Sequence, residues 1–162
     1  MKKIPIIAVV GPTASGKTGL GIQIAKRFAG EVVSADSMQI YCGMDIATAK
    51  PNVLEQDGVV HHLIDFVDPS DSFSVADYTV LAHQAIADIH ARGKLPILVG
   101  GTGLYVDSVL NDIVFTEIKT DPQLRESLYQ FAKKQGNGAL LERLRRVDPE
   151  SAARLHENNV GR

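Results

Sequence analysis

Gly11-Pro12-Thr13-Ala14-Ser15-Gly16-Lys17-Thr18 follows the apolar run Ile4–Val10 and opens a segment with helical periodicity, Lys17 to Ala29. The stretch fits G-x-x-x-x-G-K-[ST] at every position, and its flanks are those the motif needs: a buried strand before it and a helix after it. Glycines permit positive φ and close backbone approach. Successive backbone N–H groups and the helix N-terminus form an anion cradle. Lys17 brings a full positive charge to the outer phosphate, and the Thr18 hydroxyl can ligate Mg²⁺. Gly11 to Thr18 therefore predicts a phosphate or diphosphate site.

Outward from that loop, the helix carries Leu20, Ile24 and Phe28 on one face and stops at Gly30. Glu31–Ala35 reads as a second strand, residues 36–50 as polar and irregular, and Val59–Phe66 as a third strand interrupted by His61 and His62. Ser74 and Asp77 have capping-box spacing, and Gly93 follows the last turn of the helix they open. Val75, Tyr78, Ala82, Ala85 and Ile89 form its inner stripe. Leu95–Val99 is a fourth strand; Gly100–Gly103 is a loop, and a short helix runs through Leu110. Beyond Asp121 the pattern is helical over 121–135, 138–146 and 149–156. Apolar strands alternating with helices predict an α/β fold: a P-loop NTPase-like parallel sheet flanked by helices over residues 1–118, then a helical segment, 119–162.

A length of 162 residues suits about one domain with a real core. One cysteine excludes a disulfide framework and a cysteine-only metal site. No apolar run approaches the ~20 residues of a membrane span. The start MKKIPIIAVV runs into the glycine loop without a small-residue cleavage site, so the expected location is cytoplasmic, with no membrane partner. Residues 1–118 carry 8 Lys+Arg against 13 Asp+Glu, a charge of −5; residues 119–162 carry 9 against 6, or +3. The asymmetry is compatible with a polyanion meeting the basic end, although an ordinary solvated helix face is the commoner meaning of such a pattern.

In a parallel sheet of this kind, ligands bind beyond the carboxyl ends of the strands. Asp36 in the loop Ser34–Tyr41 belongs there. It can accept a proton, help hold Mg²⁺, or bond its own backbone in an Asx-turn. Ser37 and Gln39 offer hydrogen bonds, and a glutamine amide can pair with an adenine edge. The Thr102 hydroxyl in the second glycine loop can donate to a phosphate, and a tight turn accounts for that loop equally well. The strand Leu95–Val99 ends in glycines rather than an acid; Asp65 offers either a substitute Mg²⁺ ligand or a strand cap, and with no obvious water-activating residue the balance tilts weakly from hydrolysis to group transfer. His61 and His62 lack a third ligand at metal spacing and read as structural, and Cys42 as inert.

The blocks GPTASGKT, SADSMQIY, GMDIATAKP, GVVHHLID, SFSVADY and GGTGLYVDSV, in that order, together with DPQLR at Asp121–Arg125, resemble the bacterial tRNA dimethylallyltransferase (tRNA isopentenyltransferase) family. The resemblance implies transfer of a dimethylallyl group from dimethylallyl diphosphate to the exocyclic amine of the adenosine just 3′ of the anticodon. It implies that Gly11, Pro12, Thr13, Ala14, Ser15, Gly16, Lys17 and Thr18 bind the diphosphate rather than ATP, with Mg²⁺ neutralising it. It makes Asp36 the general base and Lys17 and Thr102 its catalytic partners. It assigns Asp36, Ser37, Met38, Gln39, Thr102 and Arg125 to contacts with the tRNA anticodon arm. The match breaks near the end: Glu157 stands where the family has Pro and Gly161 where it has Arg, and family members are roughly twice as long. A fragment with weak or no transfer of its own, and with an uncovered sheet edge that invites self-association, is the expectation. The rivals are a P-loop small-molecule or nucleotide kinase, a non-catalytic anion- or nucleotide-binding module and, among the family's relatives, prenylation of free AMP instead of tRNA. Arginine before residue 119 is limited to Arg27 and Arg92, sparse for a kinase.

Overall fold

A computed structural model describes residues 4–113, 115 and 121–160. The 118/119 boundary expected from sequence, the first three residues and Gly161 lie outside the described residues. The chain divides into two compact units, residues 1–115 and 116–162.

The first unit is a four-stranded parallel sheet. Its strands are β1 (Ile7–Val10), β2 (Gly30–Ser34), β3 (His61–His62) and β4 (Leu95–Gly100), in the spatial order β1-β4-β2-β3. The strand last in sequence thus lies between the first two, pairing Ile7 with Ile97 on one side and Val32 with Ile97 on the other. Helix α1 (Lys17–Phe28) packs on one face, where Ile22 and Ala25 meet Val9, Val32, Ile97 and Val99. Helices α2 (Val75–Ala91) and α3 (Gly103–Leu110) cover the other, where Tyr78, Ala82, Ile89 and Tyr105 meet Val33, Ala35 and Leu98. Both faces are covered, which is why these strands read as continuous apolar runs.

Several boundaries differ from the sequence reading. β1 starts at Ile7, not Ile4, because the register would set Pro5 and Ile6 opposite Leu95 and Pro96, and neither proline has an N–H for the ladder. β3 is two residues long rather than eight, since Leu63 and Asp65 both adopt positive φ and turn the chain away. β2 begins one residue early and β4 ends one residue late. The face of α1 is also rotated from the expected one. Leu20 and Phe28 are 51 % and 56 % exposed, and Gly21, Ile22 and Ala25 are the buried residues. A Cβ on Gly21 would lie 2.6 Å from Val99 Cγ2, so the helix sits close to the sheet through small residues instead of standing off on Leu and Phe. In α2 the capping box between Ser74 and Asp77 is present, but Thr79 and Ile86 are buried where Val75 and Ala85 were expected. Thr79 earns that place through its hydroxyl, 2.8 Å from Ser108 Oγ.

At the foot of the sheet Glu31 is 2 % exposed. Its carboxylate takes bonds from Arg92 Nη1 and Nη2 at 2.6 and 2.7 Å, from Lys94 Nζ at 2.6 Å, and has His62 Nε2 at 2.7 Å.

The second unit is helical: α4 (Pro122–Gln135), α5 (Asn137–Val147) and α6 (Pro149–Ala153). Asp121 caps α4 by accepting the N–H groups of Gln123 and Leu124, and Asp148 caps α6 through Ser151 N–H, each followed by a proline at the first helical position. Among the described residues no helix is long and apolar enough to cross a membrane.

Candidate functional site

The strand order brings three loops together at the carboxyl ends of β1, β4 and β2. The first is the phosphate loop, residues 11–18. Gly16 has φ 79° and Gly11 φ 153°, and Ala14 accepts φ 63°, so the loop curls and delivers its N–H groups to the start of α1. No side chain caps that helix end, which leaves its first N–H groups to a ligand. Lys17 Nζ donates to the loop's own Pro12 carbonyl.

The second is the glycine loop after β4. A Cβ on Gly101 would stand 3.1 Å from the Gly11 carbonyl oxygen and 3.8 Å from Lys17 Nζ. A Cβ on Gly100 would fall 2.1 Å from the Ala35 carbonyl oxygen. These two glycines let β4 fit between the phosphate loop and the loop after β2. Gly101 was not singled out from sequence; the run of three glycines in Gly100–Gly103 was the available signal.

The third is the loop after β2. Ala35 N–H donates to the Val99 carbonyl, and Thr102 N–H donates back to the Ala35 carbonyl. Thr102 Oγ1 accepts the Ser37 N–H at 2.9 Å and donates to Ser37 Oγ at 3.2 Å. The threonine hydroxyl is therefore engaged with the neighbouring loop, not presented alone. Asp36 does form the Asx-turn: its Oδ1 accepts the Met38 N–H at 2.9 Å. One carboxylate oxygen is used in this way, and the second makes no hydrogen bond among the described residues. Tyr78 Oη donates to the Ser34 carbonyl at 3.0 Å and stacks on Tyr105, ring centroids 3.9 Å apart. Burial, and then the neighbouring Tyr41, Asp36 and Asp77, push the Tyr105 phenol up from its ordinary value.

Gln39 is tied down within the protein. Its Oε1 accepts from Ser34 Oγ at 3.3 Å, and its Nε2 donates to the carbonyls of Thr48 at 3.3 Å and Ala49 at 3.0 Å. Residues 41–50 form a strap that Lys50 also fastens, its side chain only 6 % exposed. Its Nζ donates to the Tyr41 carbonyl at 2.7 Å, to Asp65 at 2.7 Å and to Asp45 at 2.8 Å. Burial opposes the ammonium charge, but the two carboxylates outweigh it and raise the Lys50 pKa. Lys50 in turn holds Asp65 below the usual carboxylate range, and Gly43 N–H bonds the same oxygen. Asp65 thus anchors the strap through its Oδ1. His61 bonds the Val59 carbonyl and His62 bonds Glu31. Arg125 lies on α4 in the second unit, its guanidinium 5.9 Å from the Tyr129 ring centre.

The IPP transferase family profile matches residues 39–162, and that of isopentenyl transferase matches residues 4–67. The chain belongs to the IPP transferase family. Among IPP transferases, it is 56 % identical to a tRNA dimethylallyltransferase of an Exiguobacterium species, covering 100 % of this chain and 52 % of that protein. A Bacillus subtilis tRNA dimethylallyltransferase is 54 % identical, over 99 % of this chain and 51 % of the relative. The crystal structure of a full-length tRNA isopentenylpyrophosphate transferase from Bacillus halodurans superposes with a TM-score of 0.70 at 52 % identity, covering 98 % of this chain and 52 % of that one. A eukaryotic dimethylallyltransferase solved acting on tRNA gives a TM-score of 0.79 at 34 % identity, over 96 % of this chain and 38 % of the other. The chain spans about half the length of the curated relatives it matches. Membership sets the parallel sheet and its loops in the same family frame as these transferases.

Proposed function

We propose that the chain carries the donor site and the acceptor base of a tRNA dimethylallyltransferase, which moves a dimethylallyl group from dimethylallyl diphosphate to the exocyclic amine of the adenosine 3′ of the anticodon. One observation supports this above the rest: the phosphate loop and Asp36 flank the same glycine loop at adjacent strand ends, with Gly101 against Lys17 and Thr102 against Ser37.

The roles follow from charge. An aromatic amine is a weak nucleophile, and the departing diphosphate carries the developing negative charge, so stabilising it is the main task. Lys17 and the unpaired N–H groups at the start of α1 bind that diphosphate. The donor set suits Mg²⁺, which characteristically takes one or two protein oxygens and fills the rest with phosphate and water. The Thr18 hydroxyl would hold it, and when bound it neutralises the leaving group. The free oxygen of Asp36 receives the amine proton, worth about 10²–10⁴-fold. Met38 N–H holds the other oxygen and so fixes the carboxylate's orientation. Thr102 shapes the acceptor loop through Ser37, and Ser37, Met38 and Gln39 form the wall that meets the adenosine. The base has to leave its stack to reach them. Arg125 and the other cations of the second unit supply contacts to tRNA phosphate. The reaction belongs to the cytoplasm, where tRNA is matured.

The test is thermal stabilisation with Mg²⁺ and, in parallel, dimethylallyl diphosphate, pyrophosphate and ATP. A ligand at about 100 times its Kd stabilises by ~2.7 kcal/mol. The prenyl donor and pyrophosphate should stabilise more than ATP; a clear preference for ATP would replace this reading with a kinase.

A further inference from the structure

The strap, residues 41–50, closes on itself. Lys50 Nζ donates to the Tyr41 carbonyl at 2.7 Å and so joins its two ends. Within it the Thr48 hydroxyl donates to the Met44 carbonyl at 2.8 Å. The backbone needs such ties, because Ala47 and Ala49 have φ of 62° and 52°, a left-handed conformation that residues with a Cβ avoid.

The Lys50 ammonium is fully used. It has three protons. The Tyr41 carbonyl, Asp65 Oδ1 and Asp45 Oδ1 accept one each, the last two at 2.7 and 2.8 Å. Lys50 borders a cleft that also reaches Thr18, yet it has no proton left for a diphosphate there. Its contacts lead the other way, to the acceptor loop. Asp65, which Lys50 holds, donates its backbone N–H to the Gln39 carbonyl at 2.9 Å. Gln39 Nε2 returns to the Ala49 carbonyl at 3.0 Å, one residue from Lys50. Lys50, Asp65, Gln39 and Ala49 therefore form a closed circuit. Met38 precedes Gln39 in the chain, and its N–H is the group that orients Asp36.

Charge makes the latch hard to replace. Asp45 and Asp65 are both drawn onto one ammonium. With the ammonium gone, two like charges face each other and repel. The strap would open at its neck, its two alanines would relax, and Gln39 would lose the carbonyls of Thr48 and Ala49.

We infer that Lys50 is a positioning residue for the acceptor half of the reaction. By closing the strap it holds Gln39 and, through Gln39, the loop that carries Asp36, and it takes no part in donor binding. The inference rests on the reading of Ser37, Met38 and Gln39 as the wall that meets the adenosine, and adds the group that sets their geometry.

The test uses the full chain with Mg²⁺ and two probes. Pyrophosphate, titrated calorimetrically, reports the donor side. An anticodon stem–loop RNA with 2-aminopurine 3′ of the anticodon reports the acceptor side, since its fluorescence rises when the base leaves the stack. Wild type should bind pyrophosphate and raise the fluorescence. Lys50→Met should hold the pyrophosphate Kd within about twofold and cut the fluorescence gain at least about fivefold, as a shift between held and open loops. Hydrogen exchange at Met38 N–H should quicken at least about tenfold. Lys50→Arg keeps the charge and should recover more than half of the gain, which a loss of general packing would not predict. Asp45→Asn leaves Lys50 in place and should give an intermediate loss, so the idea stays testable if Lys50→Met does not fold. An unchanged fluorescence gain in Lys50→Met, or in Asp45→Asn where Lys50→Met fails to fold, would overturn the inference. Pyrophosphate binding lost in step with the fluorescence would also overturn it, by making Lys50 a donor-site residue. No fluorescence gain in wild type would overturn the adenosine reading itself, and the inference with it, while pyrophosphate binding judges the donor site separately.

Discussion

The Thr102 hydroxyl accepts the backbone N–H of Ser37 at 2.9 Å across a separation of 65 residues. The glycine loop after β4 and the loop after β2 are thereby joined by a side chain, not only by the sheet. Thr102→Val keeps the shape and removes the acceptor, leaving a half-buried N–H without its partner. The expected cost is about 1–2 kcal/mol in denaturant unfolding, with faster hydrogen exchange at Ser37. Thr102→Ser should restore most of both.

Asp36→Asn separates geometry from proton transfer, because the asparagine side-chain oxygen can still accept the Met38 N–H. In a chain of the relatives' full length, transfer to tRNA should fall about 10²–10⁴-fold while the Kd for the prenyl donor holds. Unchanged transfer would remove Asp36 as the base.

Gly100 has no room for a side chain, since its Cβ would overlap the Ala35 carbonyl at 2.1 Å. The obstacle is backbone, which cannot swing aside. Gly100→Ala should cost upwards of about 2 kcal/mol. Gly103→Ala, at a position with nothing within 4 Å, should be neutral or stabilising. Unfolding midpoints for the pair provide the check.

Glu31 gives the fold an acid limit. The Arg92 guanidinium, with Lys94 and His62, holds its carboxyl far below the ordinary carboxylate range despite burial. Its folded pKa is depressed, so the stabilisation is complete above the unfolded-state pKa near 4.3 and drains away as pH falls below it toward the folded value. Glu31→Gln should flatten the decline in stability between about pH 4 and 2 and cost about 3 kcal/mol at neutral pH. A parallel pH profile for the two proteins would refute this.

What could be read from sequence was local. Eight contiguous residues define the phosphate loop, and Ser74 and Asp77 define the start of α2 within four. The face of α1 was not legible, because Gly21 is silent in a hydrophobic pattern while its missing side chain is what draws the helix onto Val99. The third strand was overextended since nothing in the composition announces positive φ at Leu63 and Asp65. In the site, Asp36 could be placed at the end of a strand, but the choice between Asx-turn and open carboxylate needed the Met38 contact. Gln39 and Lys50 act through partners five to fifteen residues away, and Thr102 through one much farther. Such pairings depend on the order of strands rather than on spacing.

The position of β4 between β1 and β2 has a consequence for biosynthesis. On the ribosome the phosphate loop and Asp36 emerge early, yet the strand that separates and aligns them is not complete until residue 100. A shorter nascent chain has no native ladder for either of its first two strands beyond the brief pairing of β2 with β3. Long-range parallel pairing is slow to close and leaves apolar strands exposed while it waits. Translation must therefore run past Gly100–Thr102 before any of the site exists, and from that point its two sides are aligned together.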